Sequence, residues 1–331
     1  MKSPLRVAVI GIGHLGKEHA RIYSELPEAR LIGLCDSDPS RKEKADAAGI
    51  PFCTDFRELI GKVDAVSVAT PTFTHHPIAR EFLKAGIHTL IEKPITLKLE
   101  EADELIELAR KNNCALQVGH IERHNPALKR IGEIARNIRF LEIHRLGPFT
   151  GRINDCGVVL DLMIHDLDIV LSFMKSEVAS FDAVGVNVLT PFEDIANVRI
   201  KFKNGSVADL TASRLTPEKQ RKIRLFQDDA YVSLDYGAQS AKIFRKIGSQ
   251  IIQEDVAIEK SEPLKDELKF FLEQIATGKS PGRPDEAARN ALAFAIEIVN
   301  AIQKNNDLNL RHSEAEGRRI SRDPSPLRGS G

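Results

Sequence analysis

Residues 5–20, LRVAVIGIGHLGKEHA, place a GxGxxG turn directly between an apolar run and an amphipathic run. The first run predicts a buried strand and the second a helix. In such a turn Gly11 permits the tight bend, Gly13 lets a pyrophosphate approach the backbone, and Gly16 allows close packing of the helix. The pyrophosphate would meet free N–H groups at the helix N-terminus. This stretch therefore predicts a dinucleotide-binding fold.

A carboxylate follows the second predicted strand. Asp36 lies twenty residues after Gly16, where it would bind the hydroxyls of the adenosine ribose. An acidic side chain there repels the 2′-phosphate of NADP, so the sequence favours NAD over NADP. Arg41 provides the alternative, because a guanidinium turned toward that phosphate would favour NADP. Otherwise Arg41 is a solvated helix residue.

The pattern of the chain changes near residue 122. Strand-like and helical runs alternate over residues 1–121, which predicts an α/β Rossmann domain with a doubly wound parallel sheet. Residues 122–311 contain helices and successive strand-like runs, with an Asn204-Gly205 hairpin signal. They predict a substrate-binding and oligomerisation α+β domain with a large, mostly antiparallel open sheet. The polar residues 312–331 predict a disordered tail.

Composition argues against several classes of partner. Lys+Arg and Asp+Glu both number 47, and this zero net charge does not suit nucleic acid or an anionic membrane as partner. The four cysteines form no CxxC pair, so we expect a reduced, cytoplasmic protein without a zinc cluster or disulfide framework. No apolar run is long enough to cross a membrane. Apolar residues on both faces of the run that contains Val184 and Val186 predict a homodimer or homotetramer through the later sheet.

Three motifs make the chain resemble the Gfo/Idh/MocA oxidoreductases. In chain order they are a TP-x-x-x-H motif at Thr70, Pro71 and His75, the segment AGIHTLIEKP at residues 85–94, and a D-x-x-x-H motif at Asp161 and His165. The resemblance implies an NAD-dependent oxidoreductase that acts on CH–OH groups. With the glycine turn and Asp36, it implies cofactor contacts from His14, Leu15, Thr70, Pro71, His75 and Glu92.

Two further segments resemble a subgroup of this family, the UDP-N-acetylglucosamine 3-dehydrogenases. They are VGHIERHNPA at residues 118–127 and DCGVVLDLMIHDLDIV at residues 155–170. The chain departs from the subgroup in having His124 in place of Phe, and Cys156 in place of a small apolar residue. The resemblance implies oxidation of a sugar nucleotide to its 3-keto form. The alternatives are a dehydrogenase of a free sugar, an inositol or a sugar acid, and a non-catalytic regulator that senses a dinucleotide.

The candidate catalytic residues lie on two segments. Lys93 follows a strand at the carboxyl edge of the sheet, where such folds place their active sites; otherwise it is a surface partner of Glu92. The apolar helix predicted at residues 158–173 carries Asp161, His165 and Asp168 on a face about 60° wide. We expect His165 to be a general acid/base whose tautomer Asp161 holds, with Lys93 and His165 both touching the reacting hydroxyl. A purely structural Asp–His pair is the alternative.

The candidate substrate contacts follow the last parallel strand. Arg123 and Asn125 lie at the interdomain crevice, and an arginine there suits a diphosphate or a carboxylate. A salt bridge between the domains is the alternative for Arg123. Arg152 is a weaker candidate for the same role, and Asp168 is a further candidate for substrate contact. Stacking on a uracil would require Phe149, Tyr236 or His124.

A metal site and the geometry of one proline are the remaining questions. Asp161, His165 and Asp168 could together bind a divalent ion, but no HExxH motif or cysteine pair accompanies them, so no metal is predicted. Pro94 either forms a cis bond that shapes the turn after Lys93 or is an ordinary trans residue that ends the strand.

Overall fold

Two sheets organise the residues that the computed structural model describes, which are 3–151, 155–278 and 284–320. The first sheet is entirely parallel, with the order β3-β2-β1-β4-β5-β6. Its strands are β1 Leu5–Ile10, β2 Ala29–Cys35, β3 Phe52–Cys53, β4 Ala65–Val68, β5 His88–Ile91 and β6 Leu116–Val118. Its helices are α1 His14–Glu25, α2 Lys42–Ala48, α3 His75–Lys84 and α4 Leu99–Lys111.

The strand order confirms the predicted Rossmann sheet. Val7, Ala8, Val9 and Ile10 are buried because helices cover both faces of a parallel sheet, so a central strand reads as an unbroken apolar run. The order reverses between β1 and β4. Crossovers leave in opposite directions there, and a crevice opens at the carboxyl ends of the strands. The glycine turn after β1 lies at this point.

The second sheet has eight strands in the order β14-β13-β12-β11-β7-β10-β9-β8. Only β7 and β10 pair in parallel, so the predicted, mostly antiparallel sheet is confirmed. Its strands are β7 Phe140–Leu146, β8 Val178–Val186, β9 Ile195–Phe202, β10 Val207–Ser213, β11 Gln220–Phe226, β12 Ala230–Asp235, β13 Ser240–Ile247 and β14 Gln250–Val256. The hairpin between β9 and β10 has Gly205 at a φ of 82°, which the glycine tolerates without steric cost.

Four helices of the described chain accompany this sheet or join it to the first. They are α5 Pro126–Ile134, α6 Ile164–Met174, α7 Pro263–Thr277 and α8 Pro284–Ile320. Leu268 and Phe271 of α7 pack into the core beneath β1, with Ile22 and Tyr23 of α1. Although α7 falls within the range expected for the second domain, its apolar face is therefore buried against the first.

The end of the described chain is helical. Helix α8 continues to Ile320; residues 321–331 of the predicted tail lie outside the described part. The composition of this segment is polar, but nothing in it before residue 320 breaks a helix in the way that proline does. No helix of the described chain is long and apolar enough to span a membrane.

The helix expected at residues 158–173 begins with a π turn. Residues Val159–Met163 form that turn, and α6 continues from it. The carboxylate of Glu193 accepts a hydrogen bond from the Val159 N–H at 3.1 Å, and the Asp161 N–H donates to the Gly157 carbonyl. A π turn is wider than an α turn, so the side chain of Asp161 does not keep the angular spacing to His165 that a regular helix implies.

We expect unequal effects on stability from two glycine substitutions in the β1–α1 turn. A Cβ at Gly16 would lie 1.8 Å from the Gly11 carbonyl oxygen, whereas a Cβ at Gly13 meets no protein atom within 4 Å. Gly16→Ala should therefore lower the free energy of unfolding by about 1–3 kcal/mol or more, and Gly13→Ala by less than about 0.5 kcal/mol. Urea unfolding followed by circular dichroism measures both. Equal losses would contradict this account of the turn.

We also predict that His124 makes the fold acid-sensitive. Its ring packs on Phe270 of α7 with centroids 5.2 Å apart, and burial lowers the pKa of His124 to about 4. Because an unfolded histidine titrates near 6.5, the unfolded chain binds more protons between these values, and stability falls as pH falls through that window. The free energy of unfolding of the wild type should fall between about pH 7 and about pH 5. In His124→Phe this fall should be smaller by about 1–2 kcal/mol.

The control for this prediction is His144→Phe. The side chain of His144 on β7 is 33% exposed, and its replacement should leave the pH dependence of the unfolding free energy close to wild type. Urea midpoints at both pH values decide the matter. The prediction fails if His124→Phe retains the wild-type difference.

Candidate functional site

A cavity of about 1100 Å³ lies at the carboxyl edge of the first sheet and is closed on its other side by the second domain. The first domain lines it with residues 13–15, 69–73 and 92–94, and the second with residues 147–151, 155–156, 161–162, 213–214, 219 and 221. Part of the predicted cofactor set and the predicted catalytic residues Lys93 and Asp161 therefore share one cleft. His165 is not among the residues that line it.

The glycine turn presents its backbone to this cavity. Gly13, His14 and Leu15 line it, and no side chain caps the N-terminus of α1, whose first turn has no acidic residue. The N–H groups there are available to an anion, and the macrodipole of the helix favours negative charge. Since a Cβ at Gly13 would point into empty space, the turn fits the close approach of a pyrophosphate.

Asp36 is tied to this turn. Its carboxylate accepts hydrogen bonds from the Ile12 N–H at 2.7 Å and from the Asp38 N–H at 3.0 Å. The position after β2, beside the glycine turn, is the one at which a carboxylate reaches an adenosine ribose. Arg41 lies 3.4 Å from Asp38, so its guanidinium is paired with an acidic side chain next to Asp36.

The Thr70–Pro71 segment also lines the cavity, but His75 lies beneath it. His75 is buried, and its two ring nitrogens lie 2.9 Å from the Thr70 carbonyl and 3.0 Å from the Pro94 carbonyl. The Lys93–Pro94 bond is cis, as one of the two alternatives predicted. The ring of His75 therefore joins the two loops that line the cleft, and its contacts position the cofactor-side loop rather than face the cavity.

Glu92 is a buried carboxylate at the floor of the cleft. Its Oε1 lies 3.1 Å from Nε2 of the buried His19. Burial opposes its ionisation, but the hydrogen bond from His19 and the charge of Lys93 hold the pKa of Glu92 below its usual value. Glu267 of α7 lies nearby, and burial together with the charge of Glu92 raises the pKa of Glu267 well above its usual value. A neutral acid thus accompanies the ionised Glu92.

Lys93 joins the two domains. Its Nζ donates to the backbone carbonyl of Asp161 at 2.5 Å and to the Asp161 carboxylate at 3.0 Å. The two side chains are only 12% and 13% exposed, yet both line the cavity. This corrects two expectations. Lys93 is not a surface partner of Glu92, and the Asp161 carboxylate holds the lysine rather than the tautomer of His165.

His165 lies behind this pair. It is 8% exposed, and its Nδ1 is buried with no hydrogen-bond partner in the described structure. Burial, reinforced by the charges of Lys93 and Arg145, lowers the pKa of His165 well below its usual value. Its ring meets His120 edge-on with centroids 5.9 Å apart, and burial lowers the pKa of His120 to about 4. His165 is therefore a neutral imidazole able to accept a proton.

The predicted substrate residues are not brought together at the cavity. Arg123 donates to Asp168 through Nε at 2.8 Å, a pair within residues 122–311 and not the salt bridge between the domains that was the alternative. Asn125 is buried; it caps α5 and donates to the Tyr236 carbonyl. None of the three lines the cavity, because their polar atoms are used within the protein. Arg152 lies outside the described residues.

The candidates for stacking on a uracil are also separated by the structure. Phe149 lines the cavity and is 38% exposed. Tyr236 is buried with its hydroxyl 3.3 Å from Asp166, and His124 is buried against α7. Only Phe149 among the three presents an aromatic surface to the cleft.

Sequence reasoning missed the charged residues that the second sheet contributes. Arg214, Lys219 and Arg221 line the cavity, and no local motif marks them. The alternation of buried residues along β11, with Ile223 and Leu225 on the covered face, is the signal that would have placed Arg221 on the same side. Asp166 of α6 is buried, and its carboxylate accepts a hydrogen bond from Nε of Arg145 at 2.9 Å.

The three residues of the metal alternative have separate surroundings. Asp161 is paired with Lys93 and Asp168 with Arg123. In the described ranges no group of three His, Cys, Asp or Glu side chains is arranged to hold a metal ion. A cation placed there would have to compete with a lysine and an arginine that already neutralise the carboxylates.

Comparisons with known proteins agree with this geometry. A sequence profile described as an oxidoreductase family with an NAD-binding Rossmann fold matches residues 5–120, and the profile of the GFO/IDH/MocA C-terminal domain matches residues 138–233. UDP-N-acetylglucosamine 3-dehydrogenase of Acidithiobacillus ferrooxidans is 37% identical over 309 residues, which are 90% of this chain and 97% of that protein. Scyllo-inositol 2-dehydrogenase (NAD(+)) of Bacillus subtilis is 30% identical, over 92% and 95% of the two chains.

Solved structures give the same result. The structure of UDP-N-acetylglucosamine 3-dehydrogenase GnnA from Acidithiobacillus ferrooxidans superposes with a TM-score of 0.84 at 37% identity, covering 91% of this chain and 98% of that one. Levoglucosan dehydrogenase in complex with NADH shares the fold, with a TM-score of 0.81 at 19% identity over 91% and 97% of the chains. The two profiles together match more than half of the chain, in both domains. The chain therefore belongs to the Gfo/Idh/MocA family of NAD-binding oxidoreductases.

Proposed function

We propose that this enzyme oxidises the 3-hydroxyl of UDP-N-acetylglucosamine to a ketone, with NAD as the hydride acceptor. The observation that carries the proposal is the single cleft in which the glycine turn, Lys93, Asp161 and Phe149 meet. The 37% identity to a UDP-N-acetylglucosamine 3-dehydrogenase over 90% of the chain supports this substrate.

We assign to His165 the role of the general base that takes the proton of the reacting hydroxyl. A general base must be neutral before it acts, and burial keeps the pKa of His165 well below its usual value. Lys93 is held by Asp161 and is an ammonium that donates hydrogen bonds. We assign it to the hydroxyl oxygen, where its charge stabilises the alkoxide as the proton leaves.

The balance of the reaction is simple. Bound NAD supplies the electrophilic ring that takes the hydride from the carbinol carbon. The hydroxyl proton passes to a ring nitrogen of His165, whose buried Nδ1 has no hydrogen-bond partner among the described residues. The products are the 3-keto sugar nucleotide, NADH and one proton released to solvent. Asp161 acts as a positioning residue, because it holds Lys93 in the cleft.

The same proposal includes a homo-oligomer formed through the second sheet. Val184 and Val186 of β8 are 57% and 51% exposed. Stacked rings extend across the open face, with centroids 4.9 Å apart between Phe226 and Tyr231 and 5.2 Å apart between Tyr231 and Phe244. Apolar surface of this kind on a sheet face favours association.

We expect Lys93→Ala and His165→Ala each to lower the rate of NADH formation from UDP-N-acetylglucosamine about 10²–10⁴-fold, because a positioned acid or base contributes that much. Lys98→Ala, in the same segment but with a side chain 72% exposed, should retain the wild-type rate. NADH absorbance with UDP-N-acetylglucosamine, inositol and glucose as substrates tests the function. Turnover of inositol or glucose but not of the nucleotide sugar would contradict the substrate, and losses within about tenfold would contradict the roles.

We expect sedimentation velocity to show a dimer or tetramer for the wild-type protein. Phe226→Arg combined with Tyr231→Arg should shift it toward monomer, because two charges would replace the stacked rings. Glu133→Arg on α5, a side chain that is 64% exposed, is the control and should leave the assembly unchanged. A monomeric wild-type protein would refute this part of the proposal.

A further inference from the structure

The cationic residues that line the cleft are of two kinds. Lys93 is paired with Asp161, and Arg214 with Asp194 at 2.7 Å. Lys219 and Arg221 also line the cavity, yet neither has a carboxylate within salt-bridge distance in the described part of the chain. Both belong to the second domain, on the opposite side of the cleft from the glycine turn.

The position of Arg221 explains why its charge is not neutralised. Arg221 on β11 lies directly opposite Arg145 on β7. Arg145 pairs with both Asp166 and Glu122, so the buried carboxylates of this region are used by Arg145. Burial, together with the like charge of Arg145, lowers the pKa of Arg221 below its usual value. A half-buried guanidinium next to another one is costly unless an anion is close.

The guanidinium of Arg221 is held but not saturated. Nη1 donates to the carbonyls of Leu146 and Gln220, each at 2.8 Å. The donors on Nε and Nη2 have no acceptor among the described residues. Arg221 shares the covered face of β11 with Ile223 and Leu225, so its free donors lie on the cavity side of the sheet. A fixed guanidinium with spare donors is suited to bidentate binding of phosphate.

We propose that Arg221 and Lys219 form the subsite that binds the diphosphate of the sugar nucleotide. This inference rests on the proposed function and names the residues that make the enzyme select a nucleotide sugar. The N-terminus of α1 would bind the pyrophosphate of the cofactor. Arg221 and Lys219, on the opposite side of the cleft, provide a second position for a pair of phosphates. Phe149 lines the same side of the cleft and offers a ring to the base of the nucleotide.

The test compares UDP with uridine as probes in calorimetric titrations of the NAD-saturated enzyme. Wild type should bind UDP more than about tenfold more tightly than uridine, because hydrogen bonds to charged groups account for such a difference. Arg221→Gln should weaken UDP binding about tenfold or more, and Lys219→Gln about threefold or more. Uridine and NAD affinities should stay at wild-type values in both variants. Arg221→Lys, which keeps the charge, should recover part of the UDP affinity.

Lys222→Gln is the matched control, because Lys222 adjoins Arg221 but lies on the exposed face of β11. It should bind UDP as the wild type does. If the wild-type enzyme oxidises UDP-N-acetylglucosamine while Arg221→Gln keeps the wild-type ratio of UDP to uridine affinity, the subsite is refuted and the function stands. An equal loss of NAD affinity in Arg221→Gln would also refute it. If wild type neither turns over the nucleotide sugar nor binds UDP, both proposals fail.

Discussion

The ion pair between Lys93 and Asp161 is the interaction on which the geometry of the cleft depends. Lys93 is the central residue of the EKP segment after β5, and Asp161 belongs to the π turn of the second domain. Removing two charges from water is costly, and close geometry with additional hydrogen bonds must compensate. Lys93 meets this condition because it donates to both the carboxylate and the backbone carbonyl of Asp161. The pair therefore brings the chemistry of the second domain to the edge of the first sheet.

The other carboxylates of the same helix are each neutralised by a different neighbour. Asp166 pairs with Arg145, and Asp168 with Arg123. Burial raises the pKa of Asp166 to about 6 even beside that arginine, so the arginine offsets only part of the desolvation cost. His165 is left among these pairs without a hydrogen-bond partner in the described chain. Burial and the charges of Lys93 and Arg145 keep its imidazole neutral.

The two sides of the cleft use different chemistry. The first domain offers backbone N–H groups and the absence of a side chain at Gly13, which suits a cofactor that must approach closely. The second domain offers Phe149 and three cations, Arg214 just after β10, Lys219 just before β11 and Arg221 on β11. This division has a structural origin. Helices cover both faces of the first sheet. One face of the second sheet borders the cleft, and alternate residues of its strands direct their side chains to that face.

The sequence by itself determined the features that depend on neighbouring residues. The glycine turn, the carboxylate after β2, the alternation of strands and helices, and the lysine at the end of β5 are all encoded within short segments. They were sufficient to predict the fold and the cofactor and to name Lys93 as a candidate catalytic residue. The tertiary structure alone decided which distant side chains meet. Lys93 finds Asp161 across 68 residues of chain, and Arg123 finds Asp168 across 45. Tertiary packing determines such pairs. The hydrogen bond that Glu193 accepts at the start of the π turn is another long-range contact that helical periodicity cannot express.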